Sequence, residues 1–378
     1  MHLIEINYQP ERSEIYLGSP SIVKLDDGAL IATHDFFADV SQKVKNDRPP
    51  AITQVFRSDD DGQTWSFVRP IIGAFWSTLF LHNGELYLLG NDRKHGSIVI
   101  RRSTDGGYTW TYPEDEKQGL LFKGGAHETP PNLHGAPVPV CVHNGRIYRG
   151  FEDNPTDKWP TGFEALVISA PVDADLLDAA SWTMSNRLPF DRAWIPGDWG
   201  TGHGPGWLEG NIVAGPDGEL WNVIRTHIEP ASDKACMIRV EDDGRSISYQ
   251  PDTGMIDMPG GSHKFTIRRD EQTGWYCSLV NDNADKSHFS QRNVLSLAVS
   301  KNLRDWEVVH TLMRDDSGLK REDSLRLTGF QYADWQFDGD DLISAVRVSH
   351  RGAPNFHDSN RITFHRVADF RQYLPASR

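Results

Sequence analysis

Short apolar stretches along this chain come in pairs, each pair split by a small polar turn. Pro20 to Leu25 leads into Asp27-Gly28 and returns through Ala29 to His34. Ser77 to Leu81 turns at Asn83-Gly84 and returns to Leu89; Pro137 to Val142 turns at Asn144-Gly145 and returns to Phe151. Asn211 to Ala214 turns at Asp217-Gly218 and returns to Ile224. Lys264 to Ile267 turns near Thr273-Gly274 and returns to Val280, and Tyr332 to Phe337 turns at Asp338-Gly339 and returns to Val346. Asn-Gly and Asp-Gly mark tight hairpins because both turn residues must tolerate positive φ. Six such hairpins predict six repeated β units.

Each hairpin is followed by a third strand and a second turn. Two of these turns are nearly identical: Ser58-Asp59-Asp60-Asp61-Gly62-Gln63-Thr64-Trp65 and Ser103-Thr104-Asp105-Gly106-Gly107-Tyr108-Thr109-Trp110. The pattern S-x-D-x-G-x-T-W places an Asp that can fold back onto the turn's own amides. Its Gly takes a conformation other residues resist, and its Trp packs the turn on the sheet. Weaker copies follow at Ser169 to Trp182, Glu241 to Tyr249, Ser300 to Trp306 and Val367 to Tyr373. A repeat of roughly 45–70 residues matches a propeller blade of four short strands. The expected fold is therefore all-β, a six-bladed β-propeller forming a single domain over 1–378.

Composition fits this picture. Thirty-three Gly and 22 Pro are spread through the 378 residues and gather in no linker, as a turn-rich globular chain requires. A net charge of −14 opposes nucleic acid and anionic membranes as partners, while a local Arg cluster can still attract a small anion. Cys141, Cys236 and Cys277 are few, odd in number and far apart, so buried free thiols are expected. The histidines show no HxxxH or HxH spacing, and neither a metal nor another cofactor is expected. Met1-His2-Leu3-Ile4-Glu5 opens without a basic and apolar leader, which reads as cytoplasmic, or as secreted or periplasmic if a leader has been removed.

The hairpin register locates a site. The start of each first strand and the end of its partner lie on one face of the disc. His and Arg favour that face: His34, His134, His227, His263, His350, Arg225 and Arg347. The opposite face is mostly Asp, Asn and Gly. The His/Arg face is the expected binding face.

With its Asp-box turns, the sequence resembles the sialidase superfamily of six-bladed propellers, over nearly the whole chain at the level of repeats. Trp207-Leu208-Glu209-Gly210-Asn211, ending at Arg225, looks like the segment in which a Glu opens a strand and an Arg closes its partner. Arg292-Asn293-Val294-Leu295-Ser296 is similar to the stretch supplying another Arg of a carboxylate-binding triad. Gly329-Phe330-Gln331-Tyr332 is similar to the strand start carrying a Tyr nucleophile. The resemblance implies Tyr332 as nucleophile, Glu209 as its base, and Arg225 with Arg292 as a carboxylate clamp. It implies Asp47 as the acid, with Asp35 and Asp39 as alternatives. A free phenol, with a pKa near 10, needs such a base, and an arginine fork matches a carboxylate. One departure stands out: Gly18 occupies the position of the family's first triad Arg. This argues against sialic acid itself as the substrate.

The expected function is an exo-acting glycoside hydrolase removing an acidic sugar, sialic-acid-like or uronic, from a glycan. His34, His227, His263 and Trp207 are further candidate substrate-binding residues. A polysaccharide lyase is the alternative: an Arg would neutralise a uronate, and His134, His203, His227 or His263 would take the C5 proton. Tyr148 or Tyr332 would then serve as acid. A non-catalytic sugar-binding propeller, with Trp194, Trp199 and Trp207 as platforms, is the third reading.

Overall fold

The computed structural model describes residues 3–38, 51–126, 129–200, 202–284 and 288–376. Six antiparallel sheets follow one another along the chain. Blade 1 comprises Ile15–Lys24, Leu30–Ala38, Ile52–Ser58 and Ser66–Ile72. Blade 2 comprises Phe75–His82, Glu85–Asn91, Ile98–Ser103 and Leu120–Phe122. In blade 3 the first strand is split into Leu133–His134 and Cys141–His143, followed by Arg146–Asp153, Glu164–Pro171 and Thr183–Met184. Blade 4 runs Gly206–Ala214, Leu220–His227, Lys234–Glu241 and Ser246–Tyr249, and blade 5 runs Thr266–Arg269, Tyr276–Val280, Val294–Ser300 and Glu307–Arg314. Blade 6 contains Gly329–Asp338, Asp341–Ser349 and Arg361–Val367. Its fourth strand is Ile4–Tyr8 from the start of the chain, which pairs with Arg361–Phe364 and closes the ring. This closure leaves no blade without a neighbour.

The hairpin turns have the backbone their sequences demand. Asn83-Gly84 and Asn144-Gly145 both hold two consecutive positive φ values, at 50° and 76° and at 45° and 73°. The two strong second turns are superimposable in their bonding. Asp60 Oδ1 accepts from the Thr64 amide at 2.8 Å while Ser58 Oγ accepts from the Gly62 amide at 2.9 Å. Asp105, Thr109, Ser103 and Gly107 repeat both bonds at the same distances. The indole N–H groups of Trp65 and Trp110 close the motif on the Gly62 and Gly107 carbonyls.

The apolar side chains do not form one central core. They fall into six clusters, one at each interface between successive blades, for example Leu89, Ile100, Phe151 and Leu166 between blades 2 and 3. The centre is thereby left to polar groups. In each blade the second strand ends toward it in a buried polar residue: Asp35, Asn91, Glu152, Arg225, Asn281 and Arg347. Five of these reach the next blade's innermost strand or the segment leading into it. Asp35 accepts from the Trp76 amide (2.7 Å) and Glu152 from the Glu209 amide (2.6 Å). Asn91, Arg225 and Asn281 donate to the carbonyls of Leu133, Ser262 and Phe330. No helix among the described residues is long and apolar enough to cross a membrane.

Candidate active site

The innermost strands of blades 1, 2, 4 and 6 each carry one extra residue relative to their partners, between Gly18 and Ser21, Phe75 and Thr78, Leu208 and Asn211, and Gln331 and Asp334. Such a bulge re-aims a side chain. In blades 4 and 6 the re-aimed residues are Glu209 and Tyr332, held left-handed at φ 65° and 53°. Non-glycine residues resist this conformation, and it concentrates at functional sites.

The two bulges bring their side chains together across the funnel. Tyr332 Oη donates to Glu209 Oε1 at 3.0 Å. Arg225 Nη1 donates to Glu209 Oε2 at 2.7 Å and to Tyr332 Oη at 3.2 Å. Arg225 Nε is fixed on the Ser262 carbonyl at 2.8 Å, so the guanidinium cannot turn away. Burial works to raise the Glu209 carboxyl, but the charge of Arg225, with the bonds from Arg225 and Tyr332, outweighs it and lowers its pKa. Glu209 is therefore a carboxylate at neutral pH, able to accept the phenolic proton.

Two further arginines flank the phenol. The guanidinium carbon of Arg347 lies 5.1 Å from the Tyr332 ring centre and that of Arg292 lies 5.8 Å from it. Burial lowers both from their ordinary range, Arg292 to about 10 with Tyr332 as its main opposing partner. Arg292 bonds Gln331 Oε1, and its buried Nε has no partner among the described residues. Gly18 explains the placement of Arg347. A Cβ on Gly18 would overlap the Phe37 ring and lie 3.2 Å from Arg347 Nη1. Phe37 and Arg347, 5.5 Å apart, thus fill the space that an arginine at 18 would need.

Sequence reasoning missed Glu152. Its Oε1 accepts the amides of Glu209 (2.6 Å) and Gly210 (3.3 Å), and its Oε2 meets His134 Nδ1 at 2.7 Å. It pins the bulge that presents Glu209. The signal available was its place in Phe151-Glu152-Asp153, at the strand end equivalent to Arg225 and Arg347.

The other expected site residues are distributed as follows. His134 joins the site through Glu152. His227 lies beside it, edge-on to Trp159 and Phe289 with ring centres 4.6 and 4.7 Å away. Neither of its nitrogens has a hydrogen-bond partner among the described residues, and burial followed by Arg225 and Arg292 lowers its pKa to about 3. His263 is buried with its Nδ1 3.4 Å from Ser262 Oγ, and burial holds its pKa well down. His34 corrects the expectation of a ligand-binding role: Nε2 meets Asn7 and Nδ1 meets the Asp35 carbonyl, and the ring stacks on Phe56. Trp207 is a second correction. It is fully buried, its indole N–H donates to the Leu188 carbonyl, and Phe190, Trp194 and Tyr249 enclose it. It faces the blade 3–4 core because it precedes the bulge by two residues.

Asp47 and Asp39 lie outside the described residues. Asp35 is described, and burial raises its carboxyl to about 7. Both its oxygens are occupied, by Thr53 Oγ1 at 2.6 Å and the Trp76 amide at 2.7 Å. Asp315, Asp316 and His350 place potential ligand atoms within 4.8 Å of one another, a grouping that histidine spacing does not reveal.

No family model matches the chain, and no curated protein does. Solved structures do. An α-L-arabinanase of Penicillium chrysogenum, complexed with arabinobiose, is similar with TM-score 0.59 and 13% identity, covering 99% of both chains. An α-L-arabinofuranosidase of Fusarium graminearum is similar with TM-score 0.60 and 13% identity, over 97% of this chain and 98% of that one. A Trypanosoma rangeli sialidase in complex with sialic acid gives TM-score 0.58 and 15% identity, over 92% of this chain and 54% of that one. At this identity the likeness establishes the six-bladed propeller.

Proposed function

We propose that this propeller is a glycoside hydrolase that uses Tyr332 as nucleophile and removes an acidic sugar from the end of a glycan. The observation that carries the reading is the Tyr332–Glu209 contact at 3.0 Å, bridged by Arg225. In the first step Oη attacks the anomeric carbon as the glycosidic bond breaks, and its proton passes to Glu209 Oε1 along the existing hydrogen bond. Arg225 stabilises the negative charge on both oxygens as it moves. In the second step water attacks the anomeric carbon and gives its proton to Asp47, as the bond to Tyr332 Oη breaks and Glu209 returns its proton to that oxygen. Asp47 is assigned as the acid that protonates the departing oxygen.

A tyrosine nucleophile suits an anionic sugar, because a neutral phenol approaches a carboxylate-bearing ring without the repulsion a carboxylate nucleophile meets. Arg292 and Arg347, with Nη2 of Arg225, supply the cations for that carboxylate. The likeness to a sialidase, an α-L-arabinanase and an α-L-arabinofuranosidase supports sugar chemistry in this funnel. The Asp-box turns at 58–65 and 103–110 support the sialidase comparison, with Arg347 in place of the arginine that Gly18 replaces.

Elimination is the second reading, favoured by the His134–Glu152 pair at 2.7 Å. One experiment separates the two. The protein is incubated with oligosaccharides ending in sialic or uronic acids, and products are followed by mass and ultraviolet absorbance. Addition of water supports hydrolysis. An absorbing, unsaturated uronate supports elimination and overturns the tyrosine mechanism.

A further inference from the structure

The bulge that presents Glu209 and Tyr332 also occurs in blade 1, where its left-handed residue is the small, buried Ser19 at φ 52°, and in blade 2. Its left-handed residue there is Trp76, at φ 51°, against 65° for Glu209 and 53° for Tyr332. Blades 2, 4 and 6 alternate around the axis. The position that brings Glu209 and Tyr332 together therefore delivers Trp76 to the third side of the same funnel.

The Trp76 ring packs on the Phe75 and His95 rings, with ring centres 4.8 and 5.8 Å away, and stands apart from the blade interfaces. Trp76 belongs to neither cluster that blade 2 shares with its neighbours, and it is only partly buried between buried Phe75 and Ser77. Its strained backbone is nevertheless held from two sides. The amide donates to Asp35 at 2.7 Å, and the carbonyl accepts from Arg149 at 3.4 Å. Strained residues held by buried polar groups cluster at functional sites. The ring meets His134 edge-on at 4.3 Å, and His134 leads through Glu152 to the Glu209 amide.

The two halves of the funnel are chemically complementary. One is charged: Glu209, Arg225, Arg292 and Arg347 around Tyr332. The other presents Trp76, with the Phe75, His95 and His134 rings against it. A sugar ring is polar around its rim and apolar on its C–H faces, and an indole is a broad, rigid, apolar surface. We infer that Trp76 is the platform on which the bound sugar ring stacks, with the ring's carboxylate and hydroxyls turned to the arginines. The inference rests on this funnel being a sugar site, and it adds a residue whose role is recognition and not bond cleavage.

The test uses the full chain carrying Glu209→Gln, so that binding is read without turnover. The probes are N-acetylneuraminic acid, glucuronic acid, galacturonic acid and arabinobiose. Affinity is measured by calorimetry, and the Trp76 indole N–H is followed by NMR, assigned through Trp76→Phe. At least one probe is expected to shift the Trp76 signal. Trp76→Ala and Trp76→Gly are expected to weaken that probe roughly tenfold or more, and Trp76→Phe to restore much of the loss. Trp76→Gly should melt no lower than Trp76→Ala, since glycine accepts the left-handed backbone without strain. Three results overturn the platform: unchanged affinity in Trp76→Ala, a lower melting temperature in Trp76→Gly with affinity intact, or no probe perturbing the Trp76 signal. Turnover separates this from the catalytic assignment. Undiminished activity in Glu209→Gln refutes the Tyr–Glu mechanism, while sugar binding on Trp76 in the same protein leaves the platform standing.

Discussion

Tyr332 and Glu209 stand on different blades, 123 residues apart, yet Oη and Oε1 meet at 3.0 Å because both residues occupy the same bulge position in equivalent strands. In the proposed mechanism their roles are interdependent, because the phenol attacks only as its proton passes to the carboxylate. Tyr332→Phe and Glu209→Gln should each lower kcat by about 10²–10⁴, a typical range for a lost proton-transfer partner. The double variant should be little worse than the poorer single one, since residues that act as a unit are not additive. Steady-state kinetics on the three proteins checks this.

Glu152 is a positioning residue. Its carboxylate accepts the Glu209 and Gly210 amides and touches no other part of the Tyr–Glu pair. Glu152→Ala leaves these buried donors unpaired, at a cost of about 1–3 kcal/mol. The account expects a lower melting temperature and a fall in kcat with KM nearly unchanged. Glu152→Gln, which keeps one acceptor oxygen, should recover much of both. A melting temperature that drops while kcat holds would leave Glu152 a purely structural group.

The Arg347 assignment concerns charge recognition. Arg347→Met keeps a long unbranched side chain and removes the guanidinium that lies over the Phe37 and Tyr332 rings. KM should rise tenfold or more for a carboxylated glycoside and stay within about twofold for its uncharged analogue, tenfold being ~1.4 kcal/mol. Equal losses on both substrates would mean that Arg347 orders the site and does not read charge.

The propeller was legible because its hairpins are local. Asn83-Gly84 and Asn144-Gly145 must turn where they do, and six turns in a row declare six blades. The same register placed Glu209, Arg225 and Tyr332 on one face. What remained hidden depends on contacts distant in sequence. Gly18 shows in the sequence as a missing arginine, but only the structure shows that Phe37 and Arg347 fill its space. Trp207, two residues before Glu209, was expected in the pocket. The bulge begins only after Leu208, so the Trp207 side chain keeps ordinary strand geometry and enters the core. The closing strand Ile4–Tyr8 carries no repeat of its own, and its partner is the last strand of the chain.

Trp207→Ala tests that correction. Truncating a fully buried tryptophan costs about 3–5 kcal/mol. Denaturant unfolding should show this loss, while the milder Trp207→Phe should bind sugar like the parent. Weaker sugar binding by Trp207→Phe at unchanged stability would return Trp207 to the site.

Acid should destabilise the fold. Burial lowers His34 to about 4 and His227 to about 3, and holds His263 well below its ordinary value. The unfolded chain takes up these protons near pH 6.5, whereas the native state refuses them until lower pH. Between about pH 6.5 and 4 the unfolded state therefore binds more protons, and stability falls as pH falls. Asp35 acts in the opposite sense: its carboxyl, raised to about 7, keeps its proton in the native state, so its contribution falls as pH rises from about 4 to 7. Three histidines outweigh one aspartate, at roughly 1.4 kcal/mol per group per pH unit. The urea midpoint should be lower at about pH 5 than at about pH 7.5. A His34→Gln protein should show a shallower decline, and a midpoint that rises on acidification would contradict the burial of these imidazoles.

A nucleophilic Tyr332 must form a covalent bond to the sugar during turnover. The direct measurement is rapid acid quenching of the protein during turnover of a fluorogenic glycoside, chosen from sialic, uronic and arabinofuranosyl donors, followed by peptide mass mapping. A glycosyl adduct is expected on the peptide containing Tyr332 and is expected to be absent from Tyr332→Phe. An adduct on another residue, or undiminished turnover by Tyr332→Phe, would contradict it.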